Sequence, residues 1–411
     1  MNIWYVHPYA GGPGVGRYMR PYSLAKHWED MGAKVVIFTT ANHHQLDKPR
    51  SVGTQVIEGI TYEFLKGKDY KGNGLQRLVN MFGAAWDFWR HADKFVETHG
   101  IPDVIISSSP HPYLYPAVFK VAKRFNAKVI FEVRDLWPLS FIELFGMSRM
   151  HPLVGATGWI EKHAYRNAYA TVSLLPLTAA YMQTRGLSSD RWHYIPNGVD
   201  SAPSCQETQP EVVSFGCLQR ATELRRAGKT VVVYVGGLGE PNNVESLVSA
   251  VAHCHSCGFS KIAAIIVGRG EMRAKLDSQV VENGLQSSIF LYDQVPKTVI
   301  TQLLNLVDIG YISLKPGPLF HFGISPNKIF DYMSSGLPIV SAIDAGNDLV
   351  KQASCGISVT SGRCEDIADA LIKVSKAAEE KKIEWSQNGR TYVQQNHSYK
   401  VLATKYLEVF K

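Results

Sequence analysis

The stretch GISPNKIFDYMSSGLPIV, residues 323–340, carries the signals of a helix start, a helix end and a strand start in one short span. Ser325 and Pro326 are typical of the N-cap and first helical positions, so a helix is predicted to begin there. Gly336 is typical of a helix end, and Pro338 precedes the apolar residues of a strand. The tract therefore predicts a helix that leads directly into a buried strand.

The first turn of this predicted helix is a candidate phosphate site. Its free backbone N–H groups and the positive end of its dipole attract anions, and Lys328 adds a cation in the same turn. Asp331 follows on the same face, three residues later. A capped surface helix with an ion pair between Lys328 and Asp331 fits equally well, and spacing alone favours neither interpretation.

Composition indicates an ordinary globular protein with more than one domain. A chain of 411 residues exceeds the roughly 250–300 residues at which a single core stops growing, so two domains are expected. No apolar run approaches the about 20 residues of a membrane span. The N-terminal residues MNIWYVHPYAGG lack the basic and apolar regions of a signal peptide. A cytoplasmic protein is therefore expected.

The net charge of +7 lies almost entirely in the N-terminal half. Residues 1–200 contain 22 Lys and Arg against 16 Asp and Glu, a net charge of +6, which leaves +1 for residues 201–411. The basic residues form no dense run or basic helix face, so nucleic acid is not expected as a partner. An anionic substrate or an anionic membrane surface explains this diffuse excess better.

The six cysteines all lie in the second half of the chain. Cys254 and Cys257, in HCHSCGF (253–259), are close in sequence. No second Cys or His pair completes four ligands at zinc-finger spacing. The sequence therefore predicts reduced, structural cysteines and no metal site.

Apolar strands alternate with helices in two successive series. The first runs from NIWYV (2–6) to ATVSLL (170–175), and the second from KTVVVYVGG (229–237) to PIVSAI (338–343). Strands that are apolar on both faces and alternate with helices indicate parallel sheets covered on both sides. We predict two doubly wound, Rossmann-like α/β domains with a cleft between them. The predicted boundaries are 1–200 for the first domain, 201–228 for a polar linker, 229–397 for the second domain and 398–411 for a C-terminal helix that could pack back on the first.

Ligands of such sheets bind beyond the carboxyl ends of the strands, where four loops are predicted to converge. These loops are HPYAGGPGVGR (7–17), the end of FEVRDLWP (131–138), VGGLGEPN (235–242) and the tract 323–340. The convergence favours the phosphate interpretation of the tract. GGPGVG does not match a dinucleotide fingerprint, so nicotinamide binding is not favoured. The glycine loop could bring backbone close to a sugar or diphosphate, or be a flexible surface loop.

Candidate acid–base residues follow two strands of the first domain. Glu132 and Asp135 flank Arg134 at the end of one strand, where a carboxylate could accept a proton and the arginine could bind phosphate. A local pair between Arg134 and Asp135 is the structural alternative. His111 is a second candidate base, although a lone histidine is more often structural, and His7 has the same two interpretations.

The segment LQRLVNMFGAAWDFWRHADKFV (75–96) interleaves aromatic and basic residues. Such a helix suits shallow insertion at a lipid interface, whereas its periodicity alone favours a helix packed on the core. The basic charge of this half of the chain favours contact with the inner face of the cell membrane. The residues concerned are Phe82, Trp86, Phe88, Trp89 and Phe95 among Arg77, Arg90, His91 and Lys94.

Six motifs, in order along nearly the whole chain, resemble the glycosyltransferase family 4 pattern on the GT-B fold. The nearest resemblance is to bacterial sugar transferases of O-antigen and capsule synthesis, including the L-fucosamine transferase type. The motifs are the glycine loop with PYSLAKHWEDMGAKVVIFTT, then FEVRDLWP, IPNGVD (195–200), YVGGLGEPNNVESLV (234–248), IVGRGEMRAKL (266–276) and FGISPNKIFDYMSSGLPIV.

The resemblance implies an activity and its substrates. A sugar is transferred with retention of configuration from a nucleotide diphosphate donor, more often UDP than GDP, and no metal or other cofactor is needed. The implied sugar is an N-acetylated hexosamine or deoxyhexosamine. The implied acceptor is a glycan or an undecaprenyl-diphosphate-linked sugar, used in surface polysaccharide synthesis.

The resemblance also places the donor on the second domain and the acceptor on the first. Asp331 matches the carboxylate that binds the ribose hydroxyls, and Lys328 is implied to stabilise the leaving diphosphate as a catalytic group. The other implied donor contacts are Gly12, Gly237, Arg269, Asp293, Gln294, Val295, Gly323, Ile324, Ser325 and Asn327. The implied acceptor contacts are Arg134, Trp137 and Asn197.

Two departures from the family pattern concern the charged groups of the donor site. The family often carries two glutamates spaced E-x7-E; here the second is Asp331, and the first falls on Gly323 or Phe320. Gly237 and Asn242 occupy the places of the usual Arg and Lys. Lys328 is the leading substitute cation, with Arg269 or Arg17 as helpers.

A third departure concerns the acceptor. Arg134 stands where the family often has a histidine, so Asp135, Glu132 and His111 are the candidates for contact with the acceptor hydroxyl. Two other classes stay open: a nucleotide-sugar 2-epimerase, and a non-catalytic protein that binds nucleotides or glycans.

Overall fold

The structure is a computed structural model that describes residues 1–43, 46, 48–67, 75–200 and 215–411, with only the backbone of residues 75–78. The described residues divide into two compact units. Unit 1 comprises Met1–Asp200 with Tyr399–Lys411, and unit 2 lies within Ser201–Ser398.

The described part of each unit is built on one sheet. The eight-stranded sheet of unit 1 has the order β3-β4-β2-β1-β5-β6-β7-β8, and the six-stranded sheet of unit 2 has the order β11-β10-β9-β12-β13-β14. The strands of unit 1 are β1 (Asn2–Val6), β2 (Lys34–Thr40), β3 (Gly53–Ile57), β4 (Ile60–Leu65), β5 (Val104–Ser109), β6 (Lys128–Val133), β7 (Ala170–Ser173) and β8 (Trp192–Tyr194). The strands of unit 2 are β9 (Thr230–Val235), β10 (Ile262–Val267), β11 (Ile289–Tyr292), β12 (Ile309–Ser313), β13 (Ile339–Ala342) and β14 (Gly356–Val359).

Helices connect most of these strands. The helices before β9 are α1 (Arg20–Asp30), α2 (Leu75–Arg90), α3 (Ala92–His99), α4 (Tyr115–Phe125), α5 (Leu139–Phe145), α6 (Pro152–Asn167), α7 (Ala179–Thr184) and α8 (Gly216–Arg226). The helices after β9 are α9 (Glu245–Ser256), α10 (Arg273–Glu282), α11 (Lys297–Leu304), α12 (Asn327–Ser335), α13 (Leu349–Ala353), α14 (Cys364–Lys376), α15 (Glu379–Asn396) and α16 (Tyr399–Phe410).

The predicted strands are all present, with ends that differ by at most two residues. Each central strand is apolar and buried on both faces, as in IAAIIV of β10, because helices cover both sides of a parallel sheet. The two domains are therefore Rossmann-like, as predicted. The antiparallel hairpin of β3 and β4 was not predicted; its turn residues Glu58 and Gly59 both have positive φ, the geometry of a type I′ turn.

The predicted linker, 201–228, needs one correction. Residues 201–214 lie outside the described residues, but Gly216–Arg226 forms helix α8. Its buried side chains, Cys217, Ala221 and Leu224, recur at helical spacing among charged residues. This period is short, so the sequence alone does not distinguish the segment from a polar linker.

Helix α16 is part of unit 1 although it follows unit 2 in the sequence. The indole of Trp28 in α1 donates a hydrogen bond to the Ala403 carbonyl at 3.1 Å. Its ring centroid lies 5.4 Å from that of Tyr406 and 5.7 Å from that of Phe410. The apolar core on this face of the unit 1 sheet therefore includes α16.

The aromatic segment 75–96 forms α2 and the start of α3. Phe88 and Phe95 are buried against the core, as its periodicity suggests. Phe82, Trp86 and Trp89 stay exposed on the outer face of α2, and Arg77 lies among residues whose side chains are not described. Across the described chain, no helix combines the length and apolarity that crossing a bilayer requires.

Candidate functional site

The predicted donor residues lie beyond the carboxyl ends of the strands of unit 2. The pairings within this sheet are all parallel, so the loops that follow β9 to β12 lie along one edge. Gly237 follows β9, Arg269 follows β10, Asp293 to Val295 follow β11, and the tract 323–331 follows β12.

Lys328 is the central cation of this edge. It lies in the first turn of α12, partly buried, and its ammonium donates to the Tyr234 hydroxyl at 2.7 Å and to Asn242 Oδ1 at 3.3 Å. The ammonium also lies 4.1 Å from the Tyr234 ring centroid. Neither partner carries a negative charge, and burial lowers the pKa of Lys328 to about 7.

Gly236 makes room for this lysine. Its φ is +149°, and a Cβ atom there would lie 2.9 Å from both Cε and Nζ of Lys328. A side chain at this position would therefore displace the ammonium. The loop after β9 therefore packs closely against Lys328 at the start of α12, and no carboxylate is among the hydrogen-bond partners of its ammonium.

The start of α12 differs slightly from the prediction. The helix begins at Asn327, one residue later than expected, and its N-cap is Pro326 without a side-chain cap. Ser325, the predicted N-cap, is partly buried just before it. Helix starts leave their first N–H groups without helical acceptors, and the first two residues of α12 are Asn327 and Lys328. Gly336 ends the helix with φ of +74°, as predicted.

The backbone of Gly323 and Ile324 is less available than expected. The N–H of Gly323 donates to the Phe320 carbonyl at 2.9 Å. The buried amide of Asn347 accepts from the Ile324 N–H at 2.7 Å and donates to its carbonyl at 3.1 Å. Both N–H groups therefore have partners within the loop before α12, and the contact of Ile324 with Asn347 spans 23 residues of sequence.

Asp331 does not pair with Lys328, which corrects the surface ion pair that spacing allowed. Its partner is Lys297 at the start of α11. The Asp331 side chain is mostly buried, whereas that of Lys297 is exposed. Burial raises the pKa of Asp331 and the neighbouring ammonium of Lys297 opposes that rise. Lys297 therefore brings a second cation to this edge that the sequence analysis did not identify.

The remaining donor candidates are at the surface. Arg269 is exposed after β10. Asp293 is exposed and lies 3.3 Å from Arg273 in α10, and Gln294 and Val295 continue its loop toward α11. Gly237 accepts, through its carbonyl, a 2.8 Å hydrogen bond from the Tyr234 hydroxyl.

Glu132, predicted as a candidate base, is fully buried in unit 1. Its carboxylate accepts from Ser108 at 2.5 Å, from Tyr5 at 2.9 Å and from Arg20 at 3.0 Å. Tyr406 of α16 also donates to it. These four donors occupy the carboxylate, so Glu132 has a structural role and is not exposed to a substrate.

A stack of polar side chains lies at the carboxyl ends of β1 and β6. The rings of His7 and Tyr18 stack at 4.5 Å, and the Arg134 guanidinium carbon lies 3.9 Å from the Tyr18 ring centroid. Burial, followed by the charge of Arg134, lowers the pKa of His7 well below its usual value. His111 is buried beside Tyr113, and Asp135 is exposed next to Arg134. Tyr18 was not predicted.

The other predicted residues of unit 1 are also placed by local contacts. The N–H of Gly12 donates to the Gly16 carbonyl at 3.1 Å within a buried turn. A Cβ at Gly12 would clash with the Tyr62 hydroxyl. Its glycine is therefore required for packing, and its N–H already has an acceptor. Trp137 donates to the Pro110 carbonyl at 2.9 Å, and Asn197 is buried after β8.

The five described cysteines are unpaired. No group of three or more His, Cys, Asp or Glu side chains among the described residues is arranged to hold a metal ion.

Two family models match the chain, one in each unit. Residues 14–198 match the glycosyl transferase 4-like domain, and residues 229–377 match glycosyl transferases group 1. The 2-deoxystreptamine glucosyltransferase of Streptomyces kanamyceticus is 25% identical over 227 residues, which are 54% of this chain and 55% of that protein. The match thus spans about half the length of this curated relative.

Solved structures are similar over both units. HepE of Anabaena, in complex with UDP and glucose, has a TM-score of 0.67 at 16% identity and covers 99% of this chain and 98% of its own. Sucrose-phosphate synthase from Thermosynechococcus elongatus has a TM-score of 0.71 at 15% identity, with 100% and 98% covered. The chain therefore belongs to the glycosyltransferases of the GT-B fold, with a glycosyl transferase 4-like domain in unit 1 and a group 1 domain in unit 2.

Proposed function

We propose that this protein transfers a sugar from a UDP-linked donor to a glycan or an undecaprenyl-diphosphate-linked acceptor in bacterial surface polysaccharide synthesis. The proposed sugar is an N-acetylated hexosamine or deoxyhexosamine. The observation that carries the proposal is Lys328, a cation held at a helix start by neutral partners. HepE, a protein of the same fold, was solved with UDP and glucose.

In the proposed reaction the diphosphate lies between the Lys328 ammonium and the backbone N–H groups at the start of α12. The bond between the anomeric carbon and the diphosphate oxygen breaks, and the charge that develops on that oxygen is stabilised by the ammonium and the helix N–H groups. The acceptor oxygen forms its bond to the same face of the anomeric carbon, so the configuration is retained. The acceptor proton passes to the departing phosphate oxygen.

No metal is needed in this proposal, because protein cations supply the positive charge. Lys328 lies within the first turn of α12, and Lys297 reaches the same helix through Asp331. Arg269 is exposed on the neighbouring loop, after β10. Asp331 is proposed to bind the ribose hydroxyls with its carboxylate.

The protein is further proposed to act at the cytoplasmic face of the membrane. Val79, Phe82, Trp86 and Trp89 recur at spacings of three and four residues, so they form one exposed apolar stripe on α2. Lys120 of α4 lies 5.7 Å from the Trp89 ring centroid. An apolar stripe beside cations fits the interface of an anionic bilayer.

A thermal-shift panel tests the donor assignment. UDP, GDP and ADP, each with and without an attached sugar, are compared on wild type and on Lys328→Ala. A preferred donor raises the unfolding temperature by mass action, because at a hundred times its dissociation constant it adds about 2.7 kcal/mol to the free energy of unfolding. Equal shifts for all nucleotides, or an undiminished shift in the variant, would contradict the assignment.

Incubating the preferred donor without acceptor separates transfer from isomerisation. A transferase leaves most of the donor sugar unchanged or slowly hydrolysed, whereas a nucleotide-sugar 2-epimerase converts it to a new nucleotide sugar. Appearance of that new nucleotide sugar would replace the transferase proposal by the epimerase.

A further inference from the structure

Unit 1 contains a cavity of about 460 Å³ between α5, α6 and α7. The proposed reaction gives no role to its lining residues, of which Pro138 directly follows the acceptor candidate Trp137. A volume of this size is typical of a ligand pocket. Its walls combine apolar side chains with three cations, namely Leu139, Ile142, Val154 and Trp159 with Arg149, Lys162 and Arg185.

Two glycines keep this cavity open. Gly155 and Gly158 both line it from within α6. A Cβ at Gly155 would meet no atom within 4 Å, and one at Gly158 would lie 3.4 Å from Pro138. A glycine inside a helix costs about 1 kcal/mol relative to alanine. The sequence thus leaves side chains out where they would fill the space.

The charge of the cavity is positive. Arg185 is held in place by the buried Glu161, whose carboxylate lies 3.1 Å from its Nε. Glu161 also accepts hydrogen bonds from Tyr165 and Tyr181. Arg149 and Lys162 are exposed at the cavity and have no ion-pair partner among the described residues. No carboxylate belongs to the lining.

Large apolar side chains are exposed on the segments that line the cavity. Met150 is 92% exposed, Phe145 68% and Trp159 65%. These residues lie on α5, on α6 and on the loop between them, all of which contribute to the cavity. A cluster of large apolar side chains in water is unfavourable and marks an interaction surface.

We propose that this cavity binds the anionic head group of a membrane phospholipid, while Phe145, Met150 and Trp159 enter the acyl region around it. Arg149 and Lys162, together with the Arg185 guanidinium that Glu161 holds in place, match the phosphate. The exposed apolar side chains match the lipid interface, where aromatic side chains are favoured. A soluble anion would leave Phe145, Met150 and Trp159 exposed to water. The inference rests on the membrane contact proposed above and adds a specific lipid site to it.

The test measures binding of the full chain to vesicles of phosphatidylcholine with or without phosphatidylglycerol. Gly155→Leu narrows the cavity without changing any charge, and leucine is a better helix former than glycine. Arg149→Ala with Lys162→Ala removes two of the cations. The matched control is Arg225→Ala with Arg226→Ala, an equal charge loss at exposed positions of α8.

Wild type is expected to bind vesicles that contain phosphatidylglycerol far more tightly than those that do not. The double variant in the cavity should lose roughly thirty-fold in affinity, because each cation near an anionic surface contributes about 1 kcal/mol. Gly155→Leu should lose at least about ten-fold, and the α8 control should stay within about three-fold of wild type.

Three outcomes would overturn the proposal. Gly155→Leu could bind the vesicles as tightly as wild type, or the α8 control could lose as much affinity as the double variant in the cavity. Wild type could also bind vesicles equally well with and without phosphatidylglycerol. If Trp86→Ala were the only variant to lose affinity for vesicles, the membrane contact of α2 would stand and the lipid site in the cavity would be ruled out. The thermal shift with UDP is measured on every variant; it is expected to be unchanged, which shows folding and keeps the result separate from donor binding.

Discussion

Replacing Lys328 by methionine should make the protein more stable, because its ammonium is desolvated without a counter-charge. The pKa of Lys328 falls from 10.5 to about 7, a shift of about 3.5 units at 1.36 kcal/mol each, or at most about 5 kcal/mol. Lys328 is partly exposed, so solvent screening reduces this to about 2–3 kcal/mol.

The sign depends on pH in a defined way. Between pH 7 and 10.5 the unfolded chain holds the Lys328 proton and the folded chain does not, so stability from this group increases with pH. Below pH 7 the folded state carries the charge and its full cost. The gain from Lys328→Met is therefore largest at pH 6 and falls to about 1 kcal/mol at pH 9.

Thermal unfolding at pH 6 and pH 9 measures this difference. At pH 6 the variant should unfold roughly 4–12 °C higher than wild type, and at pH 9 roughly 2–4 °C higher, using about 2–4 °C per kcal/mol for a unit of this size. The control is Lys261→Met at an exposed position, where no such gain is expected. A lower unfolding temperature for Lys328→Met at pH 6, or a gain equal to that of the control, would refute the reasoning.

The same lysine should take up a proton when UDP binds. At pH 8 a group with a pKa of about 7 is roughly nine-tenths deprotonated, and a diphosphate beside it restores the charged form. Calorimetry in two buffers of different ionisation enthalpy should thus give about 0.9 proton per UDP, since the UDP phosphates are already ionised at that pH. Uptake near zero, or equal uptake in Lys328→Met, would mean that Lys328 does not meet the diphosphate.

Three further substitutions separate the site from its supports. Gly236→Ala should weaken UDP binding at least ten-fold because its Cβ displaces the ammonium, whereas Gly237→Ala, with 3.7 Å to its nearest neighbour, should change it little; titration calorimetry compares the two. Asp331→Ala should weaken UDP binding about ten-fold in the same assay with a small change in unfolding temperature. Glu132→Gln should destabilise unit 1 by about 3–5 kcal/mol, because Arg20 is then left buried without a counter-charge, and UDP binding should persist; loss of transfer without loss of stability would instead restore Glu132 as a catalytic candidate.

Local sequence patterns predicted most of the fold, since the central strands are apolar runs that need no tertiary information. The hairpin of β3 and β4 was missed because Glu58 and Gly59 replace the usual Asn-Gly or Asp-Gly turn signal. The edge strands β8 and β14, of three and four residues, were also missed, whereas the edge strand β11 was found because its four residues, IFLY, are all apolar or aromatic. Periodicity therefore identifies the centre of each sheet better than its edges.

The sequence predicted the cation of the candidate site, Lys328, but not the side chains that contact it. Lys328 is marked by the helix start beside it, whereas its contacts Tyr234 and Asn242 are 94 and 86 residues away. Glu132 shows the opposite limit. Its position at a strand end suggested chemistry, but the four donors around it come from distant segments, and burial decides its role.

The position of α16 has a consequence for synthesis on the ribosome. Unit 1 cannot complete its core until Tyr406 and Phe410 have been translated. Trp28 packs against both of these rings, and Glu132 accepts a hydrogen bond from Tyr406. All of Ser201–Ser398 is translated in between, which takes roughly 10–40 s at about 5–20 residues per second. Unit 2 therefore has every residue of its core available first, although it emerges second. The apolar face of unit 1 that α16 covers is therefore expected to stay exposed until the last helix has been translated.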